Sequence, residues 1–539
     1  MVRRFISSPE PFWFIGAIIF LVAINGCSRK YYKEDADKEV YKILEDKWQD
    51  DFGQMTNYKV SDSTPNDVEI AKMIPSSGVI NLKQAVALST KYNRDYQSQK
   101  ESLYLSALDL TGTRYQYAIR WFGTIDGTYT DDKVNGDDVT VETSSGADNT
   151  QLLLGGILFN AGIAIDWMRF LTGDPRNALS SVLNSDISIP LLGSGAGKQA
   201  KERLTQAERN VLYSIRTFNR YRKTFVVSII SDYYRVLLQK ERVTIAEASY
   251  ERLIDSTNQL RMQVEVGQSA PAEADEAEQR LLTAENNLVS TRQSYEQTLD
   301  SFKLRLAIPT DANVVLDQND LIVLEQSGVG RPGYSEQEAI DMALNRRLDL
   351  ANTKDELEDS QRQLELAAEG LGVQLNLVGS VDVSSPTNET DFQNLQFHRG
   401  VYELGFEADL PLDRKNERNA YREALISLQR QQRGYDNDIE SIKLDIRQAY
   451  RNLIETAETY RIQKIGLRLA QRRVEEQRLR LQYGLTTIRL LLETEDDLVS
   501  AQNNVSQALV DHTIAKLNFF RDTGVLQVRP DGMWEQTVQ

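Results

Sequence analysis

From about residue 81 onward apolar positions recur at helical spacing, and the rhythm changes to period two only in short stretches. One helical pattern opens at Asn81-Leu82-Lys83-Gln84-Ala85 and continues through Leu103 and Leu110. A second opens at Ser335-Glu336-Gln337-Glu338-Ala339 and continues through Leu357 and Leu364. Ala85 matches Ala339 and Asp95 matches Asp349 at a common offset of 254, and each opening predicts a helix of about 38 residues. Alternation follows in 121–129 and 373–383. Odd positions there are apolar or small, with Trp121, Ile125 and Tyr129 in the first and Leu375, Leu377, Val381 and Val383 in the second. Such alternation marks a strand with one oily and one wet face. Each half then returns. Leu183, Ile187 and Ile189 alternate with Asp186 and Ser188 up to Pro190, and Tyr402, Leu404, Phe406, Ala408 and Leu410 alternate with Glu403, Glu407 and Asp409 up to Pro411.

Between the two prolines the offset falls from 254 to 221, so the first half carries 33 extra residues between its strands. They hold an acidic loop, 131–150, and an apolar run, 152–165. The loop reads as a long external loop. The run either starts the returning strand or forms an added hairpin. After each proline comes a helical pattern near 70 residues long, 198–266 and 416–483, which at 1.5 Å per residue is about 100 Å. Shorter helical patterns, 273–306 and 489–521, follow Gly267 and Gly484.

The phrase Ala284-Glu285-Asn286-Asn287-Leu288 returns as Ala501-Gln502-Asn503-Asn504-Val505, 217 residues later. The same offset pairs Gly267 with Gly484, Tyr233 with Tyr450 and Phe302 with Phe519. The chain is therefore an internal duplication of a helix–strand–strand–helix–helix unit. The lengths predict one long helix flanked antiparallel by two shorter ones laid end to end. Four strands cannot close a barrel, and an open oily sheet would leave backbone groups unpaired in lipid. Copies must therefore combine: two give eight strands and three give twelve.

Composition narrows the chemistry. The formal charge is −17 over 539 residues, which argues against nucleic acid as a partner. One cysteine, Cys27, excludes an internal disulfide and a thiolate cluster. The only histidines, His398 and His512, leave no triad or zinc site, and no metal or cofactor is expected. Gly193-Ser194-Gly195-Ala196-Gly197-Lys198 lacks the spacing and the Ser/Thr of a phosphate loop and reads as a strand-to-helix join. Nothing points to catalysis.

At the start, Arg3 and Arg4 precede the apolar run 12–24, the layout of a secretory signal and too short to span a bilayer. Ile24-Asn25-Gly26-Cys27 resembles the lipobox of bacterial lipoproteins, which implies acylation at Cys27 and, with Ser28 next, sorting to outer-membrane lipid. The segments are 1–26, a lipoprotein signal peptide, and 27–78, a lipid-anchored tether with room for one short helix. The first repeat, 79–310, has strands about 118–130 and 150–190 and helices about 197–266 and 268–307. A linker spans 311–333. The second repeat, 334–525, has strands about 372–384 and 400–411 and helices about 413–483 and 485–522, and 526–539 is a tail.

The doubled plan, Pro190 and Pro411 at the returning strands, the turn glycines, Pro190-Leu191-Leu192 and Leu204-Thr205-Gln206-Ala207-Glu208-Arg209 resemble the TolC-type outer-membrane efflux proteins over about residues 79–525. That resemblance implies a mostly α fold with β: a long coiled-coil α-barrel and a trimeric 12-stranded transmembrane β-barrel. It implies a homotrimer in the outer membrane, serving as the passive exit duct of a tripartite efflux or type I secretion system. A periplasmic adaptor protein and an inner-membrane pump would be its partners. Pro190 and Pro411 would mark the barrel-to-helix junctions.

The resemblance also makes the turns at Gly267 and Gly484 the periplasmic tip, which closes the pore and meets the adaptor. Family carboxylates six and nine residues after the second glycine fall here on Leu490 and Glu493, with Glu273 and Glu276 at the corresponding first-tip positions. The family's tyrosine–arginine latch is replaced by Leu481 and Thr486, and Arg489 is expected to pair with Glu273 instead. The rival reading is a lipid-anchored periplasmic coiled-coil scaffold or adaptor that spans no membrane.

Overall fold

The computed structural model describes residues 28–49, 52, 55–61, 75, 78–132, 138–153, 156–170, 177–192, 195–330, 333–386, 393–410, 413–529 and 534–536. The signal-like run, Cys27 and Pro411 lie outside the described residues. In chain order the helices are α1 (Arg29–Lys47), α2 (Leu82–Tyr92), α3 (Arg94–Tyr115), α4 (Gly195–Glu265), α5 (Pro271–Arg305), α6 (Asn319–Ser327), α7 (Glu336–Arg346), α8 (Leu348–Glu369), α9 (Lys415–Gln482) and α10 (Ile488–Asp522). The strands are β1 (Val79–Ile80), β2 (Arg120–Asp132), β3 (Asp138–Leu152), β4 (Leu158–Phe170), β5 (Asn177–Leu192), β6 (Val315–Leu316), β7 (Gln374–Ser384), β8 (Val401–Asp409), β9 (Leu526–Val528) and β10 (Trp534–Gln536). The chain is mostly helical with an antiparallel sheet. Contacts group it into two units. One holds the described residues up to Trp48 with Tyr104–Leu212 and Leu375–Ala408; the other holds Gln49–Leu103, Tyr213–Gln374 and the residues from Asp409 onward.

The duplication is built in matching pieces. Helices α2 and α7 each have 11 residues, α3 and α8 each have 22, and α5 and α10 each have 35. Both openings carry a reciprocal capping box, Asn81 with Gln84 and Ser335 with Glu338, which satisfies two of the orphan N–H groups at a helix start. The expected 38-residue opening helices are each broken in two. At Asn93 and Arg347 the backbone is extended, with ψ of 132° and 118°. Asn93 then caps α3, its Oδ1 accepting from the Tyr96 N–H at 3.0 Å while its Nδ2 donates to the Arg305 carbonyl at 2.9 Å. Arg347 instead donates two bonds to Asp349, at 3.1 and 2.7 Å. Apolar periodicity runs through both breaks, so the pattern alone gave no stop.

In the larger unit α9 is flanked by α8 and α10, as the lengths predict. Gln431 and Asp438 near its start meet Glu356 and Thr353 of α8, while Thr456 and Arg473 farther on meet His512 and Asp497 of α10. The 217-residue offset is visible in the packing. Tyr233 and Phe302 form an edge-on ring pair 6.1 Å apart, and Tyr450 and Phe519 form its copy at 6.0 Å. Leu288 and Val505, which end the doubled phrase, are both buried. The Tyr233 hydroxyl donates to Asp320 at 2.6 Å, and burial together with that carboxylate pushes its pKa far up.

The smaller unit extends one expectation and corrects another. The segment expected as a tether begins with a 19-residue helix, α1, capped by Ser28, whose side chain accepts from the Tyr31 N–H. Its apolar side, Val40, Ile43 and Leu44, is buried, and its Tyr41 ring lies edge-on to Tyr104 of α3. The correction is the strand count. The alternation predicts four strands per chain, but the sheet has six in the order β2-β3-β4-β5-β7-β8. The stretch read as one strand over 150–190 holds the end of β3, all of β4 and most of β5. Of the two readings of the apolar run, the hairpin is the observed one, and the acidic stretch 138–150 is itself strand, paired to β2 from Asp132↔Asp138 to Arg120↔Thr150. Beyond Val139 and Val141 its odd positions are small or polar, which period-two hydrophobicity registers only weakly. Pro190 lies two residues inside the end of β5, at a register shift opposite β7. A residue without an N–H donor belongs at such an irregularity.

Candidate functional site

The two glycine reversals both lie in the larger unit, and each is closed the same way. Gly267 and Gly484 have φ of +69° and +66°. The Gly267 N–H donates to Val264 O and the Gln268 N–H to Gln263 O, and the Gly484 and Leu485 N–H groups repeat this to Leu481 and Arg480. This paired closure satisfies the last carbonyls of α4 and α9 and needs the left-handed backbone that glycine adopts without strain. Re-entry differs. Pro271 occupies the first turn of α5, whereas Thr487 caps α10 by accepting from the Leu490 N–H at 3.4 Å.

Beyond the turns the four helices share an apolar cluster: Leu253 and Leu260 of α4, Ala277 of α5, and Ile488 and Leu492 of α10, with Leu481 of α9 and Ala284 of the doubled phrase against it. Charged residues border it. Glu276 and Glu493 are equivalent positions, 217 apart, and two arginines bring them together. Arg280 lies 3.2 Å from Glu276, 3.8 Å from Glu493 and 3.1 Å from Asp496. Arg489 lies 3.9 Å from Glu276 and 3.3 Å from Glu493. The expected partner Glu273 is replaced by Glu276, one helical turn farther along the face that looks toward α10. Burial raises the Asp496 carboxyl above its ordinary range, and the Arg280 guanidinium opposes the rise. Deeper in, Glu495 is buried and accepts from Arg478 at 2.8 Å, with Arg252 at 3.9 Å. Leu490 is exposed beside this network, and Thr486, at the family's latch position, donates to Gln477 at 3.0 Å.

Sequence reasoning thus found Glu276, Arg489 and Glu493 but missed Arg280, Asp496 and Glu495. Counting from the glycines singles out the first turns alone. An Arg280 signal was present, since it follows Glu276 by four residues on one helix face.

Comparison with known proteins decides the setting. The family model described as outer membrane efflux protein matches residues 153–306 and 339–524, more than half of the chain. The chain belongs to the outer membrane efflux protein family. Among solved structures, this efflux protein resembles CusC at a TM-score of 0.60 and 12% identity, over 87% of this chain and 96% of that one. It resembles the CmeC outer membrane channel of Campylobacter jejuni at 0.59 and 13%, over 88% and 91%, and VceC of Vibrio cholerae at 0.60 and 10%, over 85% and 99%. No curated protein matches it. At these identities the structures establish the shared fold, and the efflux protein's outer-membrane setting follows from its family.

Proposed function

We propose that this efflux protein is the exit duct of a tripartite efflux or type I secretion assembly. It works as a homotrimer, as a passive conduit with no catalysis of its own. An inner-membrane transporter supplies the energy through a periplasmic adaptor that docks at the Gly267 and Gly484 turns. Cys27 carries the lipid that anchors it to the outer membrane, and the Arg280–Arg489 network holds the tip closed. One observation carries the spanning reading against the coiled-coil scaffold. The sheet bears a row of uncovered apolar side chains, with Trp121 72%, Leu404 79% and Phe406 72% exposed, which a water-soluble scaffold has no reason to display. The test is migration of outer-membrane fractions with and without heating. An SDS-resistant oligomer that collapses to monomer on boiling is expected, and a chain extracted by salt or released once its lipid is removed refutes spanning. Photo-crosslinkers at Gln268 and Leu485 should capture one adaptor species.

A further inference from the structure

The 33-residue surplus of the first half equals 138–170, the span of β3, its turn and β4. It adds one complete hairpin between β2 and β5. An insertion of two strands keeps β2 and β5 running in opposite directions, so the rest of the duplicated plan is undisturbed. The register shows that the hairpin is a continuous part of the sheet. β2 pairs with β3 over its whole length, from Arg120↔Thr150 to Asp132↔Asp138, and β4 pairs with β5 from Leu158↔Ser188 to Arg169↔Asn177. At 15 and 13 residues, β3 and β4 are longer than β7 and β8, at 11 and 9. A tilted strand of about 9–11 residues already crosses a bilayer.

The two faces also continue through it. Directly paired residues share a face, so Ile163 stands with Leu183 and Val383, and Phe159 with Ile187 and Gly379. On the other face Asp148, Asn184 and Asp382 form one row, with the Asp148 and Asn184 side chains leaning over Gly162 into the space a Cβ would take. Ser145 and Asn149 make the oily face of β3 weaker than its neighbours', but as small side chains they still alternate in phase. The edges that remain are β2 and β8. Six strands cannot close, and unpaired edges are prohibitive in lipid.

We infer that the occupant of each β2 edge is the β8 edge of a second copy of this chain, and that the trimer closes as an 18-stranded barrel. The inference rests on the trimeric, membrane-spanning reading above. At about 4.8 Å between strands and about 40° of tilt, 18 strands give a wall about 36 Å across, against about 24 Å for twelve. The outer-membrane segment then passes bulkier cargo than a twelve-stranded duct.

The test compares the complete chain with a variant lacking 138–170, each carrying Val381→Cys and Cys27→Ser. Nitroxide labels are attached and distances between equivalent residues of the trimer are read by pulsed electron resonance. Threefold geometry makes that distance about 10 Å longer in the complete chain. Equal distances leave the hairpin outside the wall and overturn the inference while the trimer stands. Absence of any inter-copy distance overturns the trimer and the inference with it. Should the shortened chain not assemble, axial cryo-EM averages of the complete trimer decide: a wall about 36 Å across upholds 18 strands, and about 24 Å refutes them.

Discussion

Replacing Arg280 by methionine keeps most of the side chain's bulk and removes the charge that joins the two halves at the tip. Its pair with Glu276 is internal to α5, four residues away, so the links lost across the α5–α10 boundary are those to Glu493 at 3.8 Å and Asp496 at 3.1 Å. Arg280 is 26% exposed and its partners 44% and 61%, so solvent screens both pairs. Such pairs are worth about 0.2–1 kcal/mol each. Repulsion between Glu276 and Glu493, left with Arg489 alone between them, adds to the loss, for a total of about 1–1.5 kcal/mol. Every 1.4 kcal/mol is about tenfold, so if the network holds the tip closed the open-to-closed ratio rises about 5–10-fold.

The assay is single-channel recording in planar bilayers at 0.1 M salt, with open occupancy scored against wild type. The ratio should shrink at 1 M salt, where the screening length falls to about 3 Å and the wild-type pairs are already weakened. Arg280→Lys keeps the charge and should sit nearer wild type. Equal occupancy for wild type and Arg280→Met at low salt, with an intact oligomer, refutes the role of the network.

Other changes separate local from shared effects. Gly484→Ala meets no neighbouring atom, so its cost is the left-handed backbone alone, about 1 kcal/mol, read as a small drop in thermal stability without loss of assembly. Tyr233→Phe removes the 2.6 Å bond to Asp320 and should cost about 1.5–2 kcal/mol, whereas Tyr450→Phe, whose hydroxyl reaches Tyr334 O only at 3.4 Å, should cost under about 1 kcal/mol. Denaturant unfolding of the pair, side by side, checks this asymmetry. His512 is buried against α9, and burial and then Lys516 push its pKa down to about 4. The unfolded chain binds its proton first, so stability falls by about 1.4 kcal/mol per pH unit between about 6.5 and 4, and His512→Asn should flatten that slope in pH-dependent melting curves. Cys27→Ser should abolish incorporation of labelled fatty acid.

How much of this was legible follows from what each signal measures. Helical periodicity reports buried faces, so α4, α5, α9 and α10 stood out, yet the breaks at Asn93 and Arg347 depend on polar side chains holding extended backbone and left the apolar rhythm intact. Period-two hydrophobicity found β2, β5, β7 and β8 because each has large side chains on one face. It passed over β3, whose Ser145, Ala147 and Asn149 are small. The offset arithmetic located the surplus of 33 residues but not its form, because an antiparallel hairpin and a long loop leave the same numerical trace. At the tip, contacts between elements far apart in sequence decide the pairing, and spacing from a glycine does not reveal them.

The tip also shows why a duplicated protein diverges. Equivalent carboxylates meet there, because like positions of the two repeats converge on one apolar cluster, and two copies of Glu276 and Glu493 without cations would repel. The counterparts of Arg280 and Arg489 under the 217-residue offset are Asp497 and Ala272, so each arginine exists in one half only. A faithfully repeated Arg280 would replace Asp497, which pairs with Arg473 at 3.0 Å. At 280 and 497 divergence thus supplies opposite signs, and at 489 it supplies a cation where the other half has none. Swapping the pair, Arg280→Asp with Asp497→Arg, keeps net charge and both residue types. It faces the new aspartate with Glu276, Glu493 and Asp496 and the new arginine with Arg473, so it should open the tip more than Arg280→Met does. A double variant that closes as well as wild type would mean that net charge, not placement, holds the turns together.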